Sequence, residues 1–271
     1  MAGWLLVVGV LYFSWRYAWW RPPVDDRCPR ILMYHMISGH PSGAGFNGLR
    51  VTPQRFEWQL AWMRRHGYRF FSISDLWDQW DTLPPKSVAI TFDDGYADNL
   101  LNALPLLEKF DACATLYLVV DRHDRDWSIA KKKHHNSGEL ARERKLTDDE
   151  VRQLLASGRI ELGSHTLTHI NMPATPLETR RHELKASRLQ LEHNFGVPVR
   201  SFAYPFGLWG EEDVALVREA GYETAVTTVD GIDQSRPRPD PLRLLRIKVS
   251  GKDNALAFIM RMRGGKRGLR K

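Results

Sequence analysis

Short apolar runs alternate along most of the chain with stretches whose apolar residues recur every three or four positions. Runs at 31–34, 70–73, 87–92, 114–120, 160–163, 201–204, 224–229 and 244–249 have the length and continuity of buried strands. Between them, Thr52-Pro53 opens a helix with Phe56, Leu60 and Met63 on one face. Further helices are expected over 74–80, 97–110, 147–158, 177–195, 211–220 and 254–262, and Thr147-Asp148-Asp149-Glu150 has the pattern of a capping box. Strands separated by helices of this length form parallel βαβ units. About seven such repeats suit one barrel-like α/β domain, whose chemistry gathers in the loops at the C-terminal ends of the strands.

The two ends of the chain read differently. Residues 1–15 carry no charged side chain, Arg16 interrupts, and Tyr17-Ala18-Trp19-Trp20 resumes the apolar run. A bilayer span needs about 20 apolar residues, so 1–22 is expected to be a membrane-anchoring helix with an aromatic interfacial belt. No basic residue precedes the run and no small-residue cleavage site follows it, so the anchor is expected to stay uncleaved. Arg16, Arg21, Arg27 and Arg30 all follow it, and this asymmetry favours a cytoplasmic catalytic domain. At the other end, 256–271 is expected to be a basic tail, since Arg261 to Lys271 contains no acid. That leaves 23–255 as the folded domain.

Composition narrows the class without adding chemistry. With 271 residues, 43% hydrophobic and 26% charged, the chain is neither disordered nor collagen-like. Its two cysteines, Cys28 and Cys113, make no disulfide framework and read as small apolar side chains. The net charge of +7 is concentrated in the tail and in Lys131-Lys132-Lys133-His134-His135. A solvated tail, or one resting on anionic lipid, accounts for it. No nucleic-acid-binding motif is present, and no obligate protein partner is evident.

The residue types that do chemistry fall directly after strands: His35, Asp93-Asp94-Gly95, His165 with His169, and Tyr204-Pro205-Phe206-Gly207. Each alone has an ordinary reading as a helix cap, a core histidine or a turn. Together they aim polar groups at one barrel mouth. One carboxylate and two imidazoles suit a divalent metal with open positions, and a spacing of four would let His165 and His169 share one face of a helical turn. Adjacent aspartates in an extended stretch cannot face the same way, so one can ligate while the other stays free as a base.

Thr91–Gly95 (TFDDG), Ser164–His169 (SHTLTH) and Phe202–Gly207 (FAYPFG) resemble three motifs of the NodB-like polysaccharide deacetylases, carbohydrate esterase family four. The resemblance covers about residues 30–250. It implies a distorted (β/α)7 barrel and metal-dependent removal of N-acetyl, sometimes O-acetyl, groups from glycans, usually with zinc and sometimes with cobalt, nickel or iron. By position, Asp93 matches the catalytic base, and Asp94, His165 and His169 the metal triad. Tyr204 matches the residue whose backbone N–H helps hold the oxyanion. The family habit also favours a periplasmic location for a membrane-anchored member. Two departures stand out. The arginine of the third motif is replaced by Ala203, and no histidine follows His193, where many members place the general acid. Tyr34-His35 resembles the rearrangement seen in exopolysaccharide-type members, which makes His35 the expected general acid. Arg246 on the last strand and Trp127 in the loop after 114–120 are the expected substrate contacts. The expected activity is de-N-acetylation of a polysaccharide or glycolipid. The alternatives are a tethered glycan-binding protein that has lost turnover, and a metal amidase for small molecules.

Overall fold

The computed structural model describes residues 2–127, 138–235, 237–266 and 268. Eight parallel strands form one sheet: β1 Arg30–Tyr34, β2 Arg69–Phe71, β3 Ser87–Asp93, β4 Ala114–Leu118, β5 Ile160–Ser164, β6 Ser201–Ala203, β7 Thr224–Asp230 and β8 Leu244–Lys248. β1 pairs with both β3 and β8, so seven strands close into a barrel. The closure is irregular. One edge of β3 is shared, with β2 against 87–89 and β4 against 91–93, and β5 meets β6 only at Ser164 and Phe202.

Strand periodicity sorts the side chains into an inside and an outside. Ile31, Ala89, Tyr117, Ala203, Val226 and Leu244 form one cluster within the barrel, whereas Leu32, Ile90, Leu116 and Ile247 join the larger core beneath the helices. Two or four residues further along, these inward rows reach His35, Asp93, Thr228 and Lys248, which line one cavity at the mouth together with His165 after β5.

The helices begin where local chemistry predicts. Thr52 accepts from Arg55 N ahead of helix Pro53–Arg65, and Thr147 and Glu150 form the expected capping box. The stretch expected as one helix over 97–110 is instead a π-helical turn, Asn99–Ala103, followed by an α-helix, Leu104–Lys109.

Both terminal expectations are corrected. Helix Ala2–Tyr17 has 16 residues, which gives about 24 Å against a hydrocarbon core of about 30 Å. It stops because Ala18 takes a left-handed conformation (φ 43°). Beyond it, the Trp19 carbonyl accepts from Arg263 and the Tyr17 hydroxyl from Asn254, so the residues that were to complete the span bend back onto the domain. Among the described residues no helix is long and apolar enough to cross a membrane. At the C-terminus, Ala255–Gly264 is a helix with Phe258 and Met262 fully buried and Arg261 paired with Asp230 and Asp253. The first part of the expected basic tail therefore belongs to the folded domain. The rest of the tail (267 and 269–271) and the 131–135 cluster lie outside the described residues.

Candidate active site

Two consecutive left-handed residues, Asp94 (φ 78°) and Gly95 (φ 81°), end β3 abruptly. Asp93 therefore keeps its inward strand orientation while the Asp94 carboxylate swings to the β5 side. Glycine is required at 95, because a Cβ there would stand 2.4 Å from the Leu118 Cδ1 atom.

On the β5 side, His165 and His169 do not share a helical turn, as their spacing alone had implied. They lie in an irregular loop with left-handed Thr166 (φ 68°) and His169 (φ 57°). The loop is held from below by buried Glu183 on helix Leu177–Phe195. Its carboxylate accepts from the backbone N–H groups of Leu167 and Thr168 and from the Thr168 hydroxyl. The Thr166 hydroxyl oxygen accepts from His169 N.

The result is a buried cluster in which one ligand atom each from Asp94, His165 and His169 lies within 4.8 Å of the others. Asp94 Oδ1 is 3.5 Å from His165 Nε2 and 3.3 Å from His169 Nε2. Donor atoms around a tetrahedral zinc with bonds of about 2.1 Å stand about 3.4 Å apart, so the donor set fits such an ion in both chemistry and spacing. His165 Nδ1 is 2.7 Å from the Ala203 carbonyl, which fixes its proton there and leaves Nε2 as the free donor. Burial pushes His169 down from 6.5 to about 4, which keeps that imidazole neutral. Burial opposes ionisation of Asp94, but its hydrogen-bonding partners His165 and His169 outweigh it and hold the carboxyl well below the ordinary range.

Asp93 has a partner of its own. The fully buried Arg246 guanidinium forms a two-point bridge to it, at 2.7 and 2.8 Å, and is braced by the Thr91 hydroxyl and the Thr227 carbonyl. Burial raises the Asp93 pKa, yet Arg246, with His35 and His165 nearby, brings it below the usual carboxylate value. Arg246 was expected to touch substrate. With four of its five N–H donors engaged and no exposed surface, it braces Asp93 instead, from β8, where the third motif has Ala203.

Two further expected residues, Tyr204 and Trp127, both line the cavity and carry other contacts. Tyr204 lines the cavity, but its N–H donates to the Val226 carbonyl at 3.3 Å and its hydroxyl to the Leu242 carbonyl at 3.0 Å. The backbone group expected to hold the oxyanion is engaged in the sheet. Trp127 is only 5% exposed and stacks on His169 (centroids 4.8 Å apart, 23°), with the Lys145 ammonium 4.8 Å from its ring centre. Its main contact is thus a metal-ligand candidate, which Phe206 also meets edge-on at 4.4 Å.

His35 lines the cavity after β1, and its carbonyl accepts from Asn99 Nδ2 at 2.9 Å. The cavity has a volume of about 380 Å3 and an apolar wall formed by Phe46, Leu49 and Leu140. That wall joins two loops. Glu139 accepts from Gly45 N, Phe46 N and Arg50, and Arg50 also reaches Glu143. Glu183, Lys248 and the true partner of Arg246 went unnoticed in the sequence, and Phe206 was seen only as part of a turn motif. Strand alternation around Arg246 could have flagged Lys248.

The profile of the polysaccharide deacetylase family matches residues 81–225, more than half of the chain. The chain belongs to the polysaccharide deacetylase family. It is 31% identical over 217 residues to YxkH of Bacillus subtilis, a protein carrying a provisional polysaccharide deacetylase name, covering 79% of this chain and 69% of that one. It is 23% identical over 181 residues to a poly-beta-1,6-N-acetyl-D-glucosamine N-deacetylase of Staphylococcus aureus, covering 63% of this chain and 58% of that relative. Among solved structures, a Bacillus cereus polysaccharide deacetylase superposes with a TM-score of 0.73 at 27% identity, covering 89% of this chain and 70% of that one. IcaB from Ammonifex degensii shares the fold, with a TM-score of 0.71 at 20% identity over 89% of this chain and 97% of its own. The motif-bearing loops of this deacetylase-family chain are those that build the cavity floor.

Proposed function

We propose that the protein is a metal-dependent de-N-acetylase that hydrolyses the acetamide of an N-acetylated sugar in a polysaccharide or glycolipid. The observation that carries this reading is the Asp94, His165 and His169 donor cluster beside Asp93, a second carboxylate that Arg246 keeps ionised. When bound by Asp94, His165 and His169, a divalent cation, with zinc our first choice, supplies Lewis acidity that polarises a carbonyl and acidifies water. Asp93 takes the proton from the water that adds to the acetamide carbon. His35, on the cavity wall contributed by β1, delivers a proton to the departing nitrogen. The C–N bond breaks, and a free amine and acetate leave. The S. aureus relative, named for N-deacetylation of an N-acetylglucosamine polymer, supports the choice of substrate class.

The test is acetate release from N-acetylglucosamine oligomers by the purified protein. Release is expected with added zinc, lost with chelator, restored by metal, and reduced by at least about a hundredfold in Asp93→Asn. A protein that binds zinc through Asp94, His165 and His169 yet releases no acetate from any acetylated glycan would overturn the reading.

A further inference from the structure

Lys248 is the one residue on the cavity wall whose charge the mechanism leaves without a role. It stands two residues beyond Arg246 on β8, so the two side chains leave the same face of the strand. Arg246 reaches Asp93, which places Lys248 about 6.6 Å further up the barrel, above the catalytic base and at the rim of the cavity it lines. Its backbone is fixed. Its N–H donates to Asp230 Oδ1 at 2.9 Å, and its Cα pairs with Met33, two residues before His35.

The ammonium has no counter-charge. Among the described residues no hydrogen bond or ion pair engages it. The cavity's two carboxylates are already committed, Asp93 to Arg246 and Asp94 to the histidine cluster. The other acids near β8 are also occupied: Asp230 holds Arg261 and the Lys248 N–H, Asp253 holds Arg261, and Asp233 accepts from Leu245 N. None of the residues outside the described set (1, 128–137, 236, 267 and 269–271) is an aspartate or glutamate.

A lone cation on the wall of a largely apolar cavity gains most when a ligand brings the opposite charge. We infer that Lys248 is a specificity-determining residue that receives an anionic substituent, a carboxylate or a phosphate, carried on the acetamido sugar itself. The geometry limits where that anion sits. With the acetamide at Asp93 and Asp94, the anion is assigned to a ring carbon next to the acetamido carbon, the positions nearest the reacting group. The inference rests on the deacetylase reading and deepens it: the preferred substrate is an acidic N-acetyl sugar rather than a neutral one.

The test compares three probes with the zinc-loaded protein: N-acetylglucosamine, N-acetylmuramic acid, which adds a carboxylate at the neighbouring 3-position, and N-acetylglucosamine 1-phosphate, which adds a phosphate at the neighbouring 1-position. Both kcat/KM for acetate release and Kd by calorimetry are measured for wild type, Lys248→Gln and Lys248→Arg. Wild type is expected to favour at least one anionic probe over the neutral one by at least about tenfold, chiefly through KM. Lys248→Gln is expected to abolish that ratio, and Lys248→Arg to retain most of it. The probe that shows the preference identifies the carboxylate or the phosphate. A wild type that favours the neutral sugar, or a preference unchanged in Lys248→Gln, overturns the inference. Should no probe release acetate, the oligomer assay decides the deacetylase reading separately, and the Kd ratios still decide the role of Lys248 by the same criteria.

Discussion

Replacing Arg246 with methionine separates a positioning role from a substrate contact. The guanidinium is fully buried and makes four hydrogen bonds at 2.7–3.0 Å, two of them to Asp93, which is itself 2% exposed. Methionine fills much of the volume but leaves a buried carboxylate unpaired, which costs about 3–5 kcal/mol. At about 2–4 °C per kcal/mol for a domain of this size, Tm at pH 7.5 should fall by about 6–20 °C. The sign with pH follows from the lowered pKa of Asp93. The stabilisation from the ionised pair is present above the unfolded carboxylate value of about 3.9, and it is lost as pH falls through the folded value. The Tm gap between wild type and Arg246→Met should therefore be widest near neutrality and narrow in acid, where a protonated Asp93 needs no cation. Activity should fall as well. Without Arg246, the main influence opposing the burial of Asp93 is gone and its pKa rises, so the acidic limb of kcat/KM against pH moves upward. The Arg246→Met, Asp93→Asn double variant should be less destabilised than the sum of the two single variants. Scanning calorimetry at several pH values with a pH–rate profile gives all three readouts. A variant with unchanged Tm, an unmoved acidic limb and only a raised KM would refute the positioning role and restore Arg246 as a substrate contact.

Three further outcomes follow from the same geometry. His35→Gln should retain its zinc, measured by elemental analysis, while kcat drops by about a hundredfold; full turnover with metal retained would remove His35 from the mechanism. Trp127→Ala should weaken zinc binding by about tenfold in competition with a chelating dye, because the stacked ring orients His169; unchanged zinc affinity with a raised KM would make Trp127 a sugar platform. Burial lifts Asp98 from 3.8 to about 6, so the folded protein binds its proton more tightly than the unfolded chain does, and this contribution to stability is lost as pH rises from about 4 through 6. Asp98→Asn should accordingly gain about 1–2 kcal/mol over wild type at pH 7.5 and little at pH 4.5 in urea unfolding; an equal gain at both would assign the effect to packing.

Much of the catalytic floor was legible because its determinants are local. Asp93, Asp94, His165 and His169 stand directly after apolar strands, and in a parallel barrel every strand end faces the same mouth. The (β/α)7 reading held for the same reason: strand and helix periods are written into neighbouring residues, and seven strands close the barrel. Where the reading relied on a short spacing without its backbone context, it misled. The four-residue interval of the histidines suggested a helical turn, whereas left-handed Thr166 and the Glu183 carboxylate from a distant helix shape that loop.

The sequence by itself determined the order of elements, the barrel class and which residues stand at the strand ends as candidates for metal ligation and proton transfer, since strand alternation and strand ends are properties of consecutive residues. Tertiary structure alone decided which groups are already committed. Arg246 lies 153 positions from Asp93 yet is bound to it, the N–H of Tyr204 is engaged by β7, and the face of Trp127 by His169. It also decided that the N-terminal helix stops at Tyr17, because Ala18 turns left-handed and the next residues bond to the helix ending at Gly264. Partner choice for a buried donor or charge depends on which strands are brought side by side when the barrel closes, and no local pattern encodes that distance.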